Sequence, residues 1–305
     1  MKLYYADHFV LPLPEGHRFP MEKYALLRAR LRDSGLFAEG DFRVPAAAGD
    51  AEILRAHDAG YLQRVASGTL DAAEVRRIGF PWSEEMVERS RRSAGATLAA
   101  CRSALEREGG SPCAANLAGG THHAYRDFGS GFCVFNDAAI AALAMRAEGR
   151  AGRIAIVDCD VHQGDGTAAI LADTPEVFTC SLHGAKNFPF RKQTSDLDVD
   201  LPDDTGDEAY LTALDAALDT VFSRARPELV IYLAGADPFA GDRLGRLALS
   251  IEGLAARDAR VLGACRTEGV PVAIAMAGGY AQPIDDTVAI HFNTIRTAAR
   301  MLRPG

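Results

Sequence analysis

The feature that most constrains the fold is the alternation of short apolar runs with longer amphipathic segments from about residue 84 onward. Strand-like apolar runs occupy residues 114–118, 153–159, 177–182, 229–234 and 271–276, and helix-like segments occupy residues 84–108, 137–148, 207–225, 252–268 and 284–302. This alternation predicts parallel βαβ units. The sequence shows no internal repeat and no long Pro-, Gly- or Ser-rich linker. We therefore expect one α/β domain over residues 1–305.

The composition limits the classes of function. The net charge of −8 opposes a basic nucleic-acid surface and favours a cationic substrate or partner. Six cysteines are scattered without a C-x-x-C pair, which is typical of reduced, buried thiols in a cytoplasmic protein. No apolar run approaches the roughly 18 residues of a membrane span, and no signal peptide is evident. We expect a soluble, cytoplasmic protein that binds neither nucleic acid nor membrane, and the sequence does not indicate its oligomeric state.

Three acids and a histidine stand where one of the predicted strands ends, in VDCDVHQGD at residues 157–165. Because alternate residues of a strand share a face, Asp158, Asp160 and His162 should point to the same side. In open parallel sheets, ligands bind beyond the carboxyl ends of the strands. The same edge should receive three further segments: Asp237, residues 278–280 (GGY) and residues 119–123 (GGTHH).

The clustered carboxylates predict a bound divalent cation. Burying each charge costs on the order of several kcal/mol unless an opposite charge compensates it. Asp160, His162 and Asp237 would supply three ligands and leave a position open, as in catalytic sites. The two carboxylates would neutralise the charge of the ion, so the ion should lower the pKa of its bound water less than an ion held by three histidines would. A general base is therefore needed, and His122 and His123 are candidates. Zn²⁺, Fe²⁺ and Mn²⁺ all suit these ligands.

Six separate motifs make the chain resemble the zinc-dependent histone deacetylases and acetylpolyamine amidohydrolases over nearly its whole length. They are GGTHHA, GFCVFND, VDCDVHQGDGT, SLH, AGADPFAGDRLG and GGY. The combination is highly specific, whereas a single HH or D-x-D would not be. The AGADPFAGDRLG block and its spacing to GGY are most similar to the bacterial branch near the class IV deacetylases. The resemblance implies the arginase/deacetylase fold, a single domain with a central, mostly parallel sheet flanked by helices.

The resemblance also implies a role for residues of each motif. It places zinc at Asp160, His162 and Asp237, the paired histidines at His122 and His123, their carboxylate partners at Asp158 and Asp165, and the catalytic tyrosine at Tyr280. It places a monovalent cation, K⁺ or Na⁺, at Asp158, Asp160, His162, Ser181 and Leu182. The acyl-chain tunnel corresponds to Gly131, Phe132 and Leu244, with Phe188 or Phe190 opposite, and Arg18 resembles an internal arginine of the acetate-release region.

The implied activity is hydrolysis of an amide between an acetyl or longer acyl group and an amine. Acylated lysine is favoured as the substrate, because the chain lacks the long loop insertions with which polyamine specialists narrow access. Acetylated polyamines and other small amides are the alternatives, and the acyl length is open. An acidic residue that grips the substrate backbone in many eukaryotic members has no counterpart near IGFPWSEE, residues 78–85.

Two rival functions are less well supported. A non-catalytic acyl-amine binding protein would not need the full set of predicted ligands, histidines and tyrosine. A binuclear ureohydrolase on the same fold would need further ligands around Asp237, where ADPFAG offers a single carboxylate.

Overall fold

The computed structural model describes residues 1–302, which form one α/β domain around an eight-stranded sheet. The strands are β1 (Lys2–Tyr4), β2 (Phe42–Arg43), β3 (Cys113–Asn116), β4 (Ile154–Asp158), β5 (Val177–Gly184), β6 (Leu197–Leu201), β7 (Leu229–Leu233) and β8 (Val272–Ala275). Their spatial order is β2-β1-β3-β8-β7-β4-β5-β6, and every neighbouring pair is parallel. The predicted fold class is confirmed, and the sheet is wholly rather than mostly parallel.

Ten α-helices lie within residues 1–302. They are α1 (Glu22–Asp33), α2 (Asp50–Ile53), α3 (Ala59–Ser67), α4 (Ala72–Ile78), α5 (Glu84–Leu105), α6 (Asp137–Ala147), α7 (Asp165–Leu171), α8 (Asp207–Ala225), α9 (Ile251–Thr267) and α10 (Ile284–Leu302). The predicted elements are all present, with ends within three residues of those expected. None of the helices in this part of the chain has both the length and the apolar character needed to cross a membrane.

The central strands are buried because they are apolar on both faces. Strands β3, β4, β5, β7 and β8 are buried along their whole length, as expected where helices cover both sides of a parallel sheet. In β4, Ala155 and Val157 join the core that includes α8, α9 and α10. Ile154 and Ile156 join the core that includes α5 and α6. The polar segment after β4 therefore begins at the sheet edge, between two apolar layers.

The six cysteines are all free and buried, which confirms the prediction of buried thiols. Burial raises the pKa of Cys265 to about 12, so this thiol is protonated at neutral pH.

His57 provides a test of the fold by pH. The side chain is buried, and its Nε2 accepts a hydrogen bond from the backbone N–H of Asn136 (2.9 Å). Burial lowers the pKa of His57 to about 4. The unfolded chain binds this proton near pH 6.5, so the stability that neutral His57 contributes is complete above that pH and declines as the pH falls towards 4. As the pH falls from about 6.5 towards 4, the free energy of unfolding should therefore decrease more steeply in the wild type than in His57→Gln. The two slopes should differ by up to about 1.4 kcal/mol per pH unit.

Urea unfolding of both proteins between about pH 7 and about pH 5 measures this difference. Parallel stability profiles would show that His57 does not titrate as its burial requires.

Candidate active site

The candidate site lies at the carboxyl ends of five neighbouring strands, β3, β8, β7, β4 and β5. The polar segments that follow these strands line a cavity of about 660 Å³. Residues 119–123 follow β3, residues 277–280 follow β8, Asp237 follows β7, and residues 160–162 follow β4. The structure thus brings together the segments that the sequence places at one sheet edge.

Asp160, His162 and Asp237 form a compact buried group at the cavity. Each offers a ligand atom within 4.8 Å of the other two. His162 Nδ1 lies 2.9 Å from Asp160 Oδ1 and 3.2 Å from Asp237 Oδ2. Asp237 Oδ2 is buried, yet it accepts no hydrogen bond from residues 1–302. A buried carboxylate oxygen without a donor is costly unless a cation faces it, so this donor set fits a divalent metal ion.

Backbone groups fix the orientation of the two carboxylates. The N–H of Gly278 donates to Asp160 Oδ2 (2.7 Å), and the N–H of Val161 donates to Asp237 Oδ1 (2.9 Å). A Cβ at position 278 would collide with the carboxylates of both Asp160 and Asp237. Glycine is therefore needed at this position for the backbone to approach the ligand group closely.

The charges of this group shift its pKa values. Burial, followed by the neighbouring charge of Asp160, raises the pKa of Asp237 to about 7. Burial opposes a charged ring at His162, but the hydrogen bond to Asp160 and the adjacent negative charges of Asp237 and Asp160 outweigh it and raise the pKa of His162 to about 10. The two carboxylates thus favour positive charge at this position, which either a proton on His162 or a divalent cation can supply.

His122 and His123 form two histidine–carboxylate pairs beside the ligand group. His122 Nδ1–H donates to Asp158 Oδ2, and His123 Nδ1–H donates to Asp165 Oδ1, both at 2.6 Å. The two ring centroids are 4.1 Å apart. Both predicted pairings are present in the structure, and they leave Nε2 of each ring available to the cavity.

The two neighbouring imidazoles have opposite pKa shifts. Burial disfavours the charged form of His122, but the carboxylates of Asp158 and Asp160 outweigh it and raise the pKa to about 9. Burial and the positive charge of His122 lower the pKa of His123 to about 4. Near neutral pH this pair therefore consists of one charged imidazole, His122, and one neutral imidazole, His123.

Tyr280 lines the same cavity, and its side chain is buried. Its hydroxyl makes no hydrogen bond with residues 1–302, and burial, then the charges of Asp237 and Asp160, raise its pKa well above the usual value. The phenol therefore stays protonated and can donate a hydrogen bond to a ligand.

Asp242 holds the backbone of Tyr280 and was not identified from the sequence. Its Oδ2 accepts the N–H of Tyr280 (2.6 Å), and its Oδ1 accepts the N–H groups of Leu244 (2.8 Å) and Gly245 (3.1 Å). Arg243 Nε donates to the carbonyl oxygen of Tyr280 (3.0 Å). Asp242 thus ties the loop after β7 to the loop after β8.

The predicted internal position of Arg18 is wrong. Arg18 is exposed and lines the outer part of the cavity. The buried cation beside the tyrosine is Lys23, whose Nζ donates to the carbonyl oxygens of Ala277 and Gly279, both at 3.3 Å. This Nζ also lies 5.3 Å from the ring centroid of Tyr280. Lys23 therefore stabilises the turn that carries the tyrosine.

The four predicted tunnel residues all line the cavity: Gly131, Phe132, Phe188 and Leu244. A Cβ on Gly131 would lie 2.7 Å from His123 Cδ2, so only glycine leaves this wall open. The ring of Phe188 contacts His123 edge-on, with centroids 4.9 Å apart. Phe190, the other candidate for this wall, is 87% exposed and lies further out.

The residues predicted to hold a monovalent cation are close together and buried. Asp158 stands opposite Ser181 in the pairing of β4 with β5. The N–H of Gly184 donates to the carbonyl oxygen of Val161 (2.9 Å), which links the segment after β4 to the end of β5. Asp160, His162 and Leu182 are buried in the same two segments, and cation binding by these residues stays a prediction.

Comparisons with known proteins identify the family. The profile of the Histone deacetylase domain matches residues 17–295. An uncharacterized protein of Picosynechococcus sp. is 45% identical, over 97% of each chain. The histone deacetylase-like amidohydrolase of Pseudomonas aeruginosa is 32% identical, over 89% of this chain and 74% of that protein.

A solved structure has the same fold. The crystal structure of the HDA15 HD domain superposes with a TM-score of 0.82 at 22% identity, covering 98% of this chain and 90% of that one. Family and fold together indicate a hydrolase of the deacetylase type. The chain therefore belongs to the histone deacetylase family.

Proposed function

We propose that this chain is a zinc-dependent amide hydrolase that removes acetyl or longer acyl groups from lysine side chains. The observation that carries the proposal is the donorless Asp237 Oδ2, buried within the ligand group and next to two histidine–carboxylate pairs. Similarity to a protein named as an amidohydrolase supports the reaction type. Six free, buried cysteines support a reducing, cytoplasmic setting.

Asp160, His162 and Asp237 would hold the divalent ion, which when bound polarises a carbonyl and lowers the pKa of water. Zn²⁺ is the proposed ion, and the oxygen-rich ligands also suit Fe²⁺ and Mn²⁺. A second, monovalent cation, K⁺ or Na⁺, is proposed between β4 and β5. It would place positive charge beside the Asp158 carboxylate, which is buried there.

The paired histidines would move the protons of the reaction. Neutral His123 can accept a proton from the attacking water at Nε2, because Asp165 holds the proton on Nδ1. The same Nε2 can then return the proton to the departing amine. Charged His122, fixed by Asp158, stands beside it and stabilises negative charge that develops during attack.

Tyr280 would donate its hydroxyl proton in a hydrogen bond to the oxyanion of the attacked amide. Its hydroxyl is free for this purpose, and Lys23 and Asp242 fix the turn that carries it. The rings of Phe132 and Phe188 would enclose the apolar stem of the acylated lysine and exclude water from the reacting group.

A fluorogenic acetyl-lysine peptide tests the function directly. The protein should release product, a chelator should abolish release, and added Zn²⁺ should restore it, because the ligand group is the proposed centre of the reaction. Comparison of kcat/KM for acetyl-lysine peptides, longer acyl-lysines and acetylated polyamines then ranks the substrates. Turnover that resists the chelator would contradict metal dependence, and an absence of product from every substrate would favour a binding protein.

Tyr280→Phe tests the oxyanion role. Removal of one oxyanion donor typically lowers turnover by about 10²–10³, so kcat should fall by this factor while metal content is unchanged. Tyr5→Phe removes a hydroxyl from a tyrosine outside the cavity and should leave kcat unaltered. Near-normal turnover by Tyr280→Phe would remove this residue from the reaction.

Gly278→Ala tests the metal site without use of enzyme activity. The added methyl group would collide with the Asp160 and Asp237 carboxylates, so the affinity for Zn²⁺ should fall by about tenfold or more. Gly263→Ala is a matched control, because its Cβ would meet only Met301 Cε at 3.5 Å, an ordinary contact. Calorimetric titration with Zn²⁺ compares the proteins, and circular dichroism confirms that each is folded. Equal affinities in all three would contradict the proposed ligand group.

A further inference from the structure

The mouth of the cavity is lined by positive charge. Five arginine and lysine side chains line the cavity, and all are exposed: Arg18, Arg76, Arg77, Lys186 and Arg246. Within residues 1–302, the only acids that line it are Asp160 and Asp237, which are buried in the ligand group. The chain as a whole carries 41 acidic and 33 basic residues, for a net charge of −8. The charge at the mouth is therefore opposite in sign to the net charge of the protein. The net charge favours a cationic substrate, whereas this surface favours an anionic one.

Three of these side chains form no ion pair within the described residues. Arg18, Arg76 and Arg77 are exposed, and none forms an ion pair with any acid in residues 1–302. The guanidinium of Arg77 lies 4.6 Å from the ring centroid of Phe128. Their charges are available to a ligand at the mouth.

Lys186 and Arg246 share a single carboxylate. Lys186 Nζ lies 3.5 Å and Arg246 Nη1 lies 3.2 Å from Asp203 Oδ2. These side chains are 75% and 56% exposed. One acid thus compensates two cations, and positive charge remains on this side as well.

Favourable interaction with a helix dipole explains the position of only two of the five cations. Arg76 and Arg77 lie in the last turn of α4, where cations interact favourably with the helix dipole. Arg18 precedes α1, whereas Lys186 and Arg246 lie in loops after β5 and β7. Four separate segments therefore contribute the positive charge, and a local requirement of one helix does not account for it.

We infer that this cationic rim, defined as Arg18, Arg76, Arg77, Lys186 and Arg246, selects acyl-lysines that are flanked by aspartate or glutamate in the same peptide. The inference rests on the proposed function, in which the acylated side chain occupies the cavity and its neighbours stay at the mouth. Charges distributed around a mouth suit several flanking carboxylates better than a single anion. An acetylated polyamine would instead bring its own positive charges against the rim.

Peptides that differ only in the residues beside one acetyl-lysine test this specificity. Acidic, neutral and basic flanks are compared by kcat/KM, together with an acetylated polyamine, at low and high ionic strength. We expect kcat/KM to be about tenfold higher for acidic than for basic flanks, mainly through KM, with the polyamine poorest. The preference should shrink at about 1 M salt, where the Debye length falls to about 3 Å. Equal values for acidic and basic flanks at low salt would overturn the inference.

A charge-reversal variant assigns the preference to the rim. Arg18→Glu/Arg76→Glu should lose or invert the preference, because both arginines are exposed and free of ion pairs. Arg266→Glu is a matched control, since Arg266 is exposed in the last turn of α9 and does not line the cavity. It should keep the wild-type preference. A preference that survives in the double variant would contradict the role of the rim.

Binding of the same peptides, followed by fluorescence anisotropy, separates the two proposals. Charge-selective binding without hydrolysis would support the rim and contradict the hydrolase. Hydrolysis without charge selectivity would contradict the rim and leave the hydrolase standing.

Discussion

The burial of several carboxylates at one edge of the sheet is the constraint on which the site depends. Asp158 and Asp165 are compensated by histidines, and Asp160 accepts backbone N–H groups and contacts His162. Among these four carboxylates, Asp237 alone has a buried oxygen that accepts no hydrogen bond from residues 1–302. The requirement for glycine at position 278, the histidine pairs and the fit to a divalent cation all follow from the need to stabilise this charge.

The elements from about residue 84 onward could be predicted because most of their strands are buried on both faces and therefore appear in the sequence as continuous apolar runs. The first 80 residues gave no such signal, since β1 and β2 have only three and two residues and α2 has only four. Strand β6 was missed for a different reason. It lies at the edge of the sheet, and its sequence LDVDL alternates acids with apolar residues, of which only Leu201 is fully buried.

The residues of the candidate site could be predicted where they follow a strand, because a parallel sheet brings all its carboxyl ends together. Side chains that act on backbone groups were missed, as with Asp242. Lys23 did leave a signal, because its spacing to Leu27 and Leu31 places it on the buried face of α1. The charge at the mouth could not be foreseen from composition, since net charge carries no information about where the exposed cations lie.

The order of the strands has a consequence for how the domain assembles. Strand β8 lies between β3 and β7, although it is the last of the strands along the chain. Before residues 272–275 leave the ribosome, the sheet can exist only as two separate parts, one with β1, β2 and β3 and the other with β4, β5, β6 and β7. Asp160, His162 and Asp237 all belong to the latter part, whereas the paired histidines belong to the former. Asp160, His162 and Asp237 can therefore come together during synthesis before β8 joins them to the part of the sheet that carries His122 and His123.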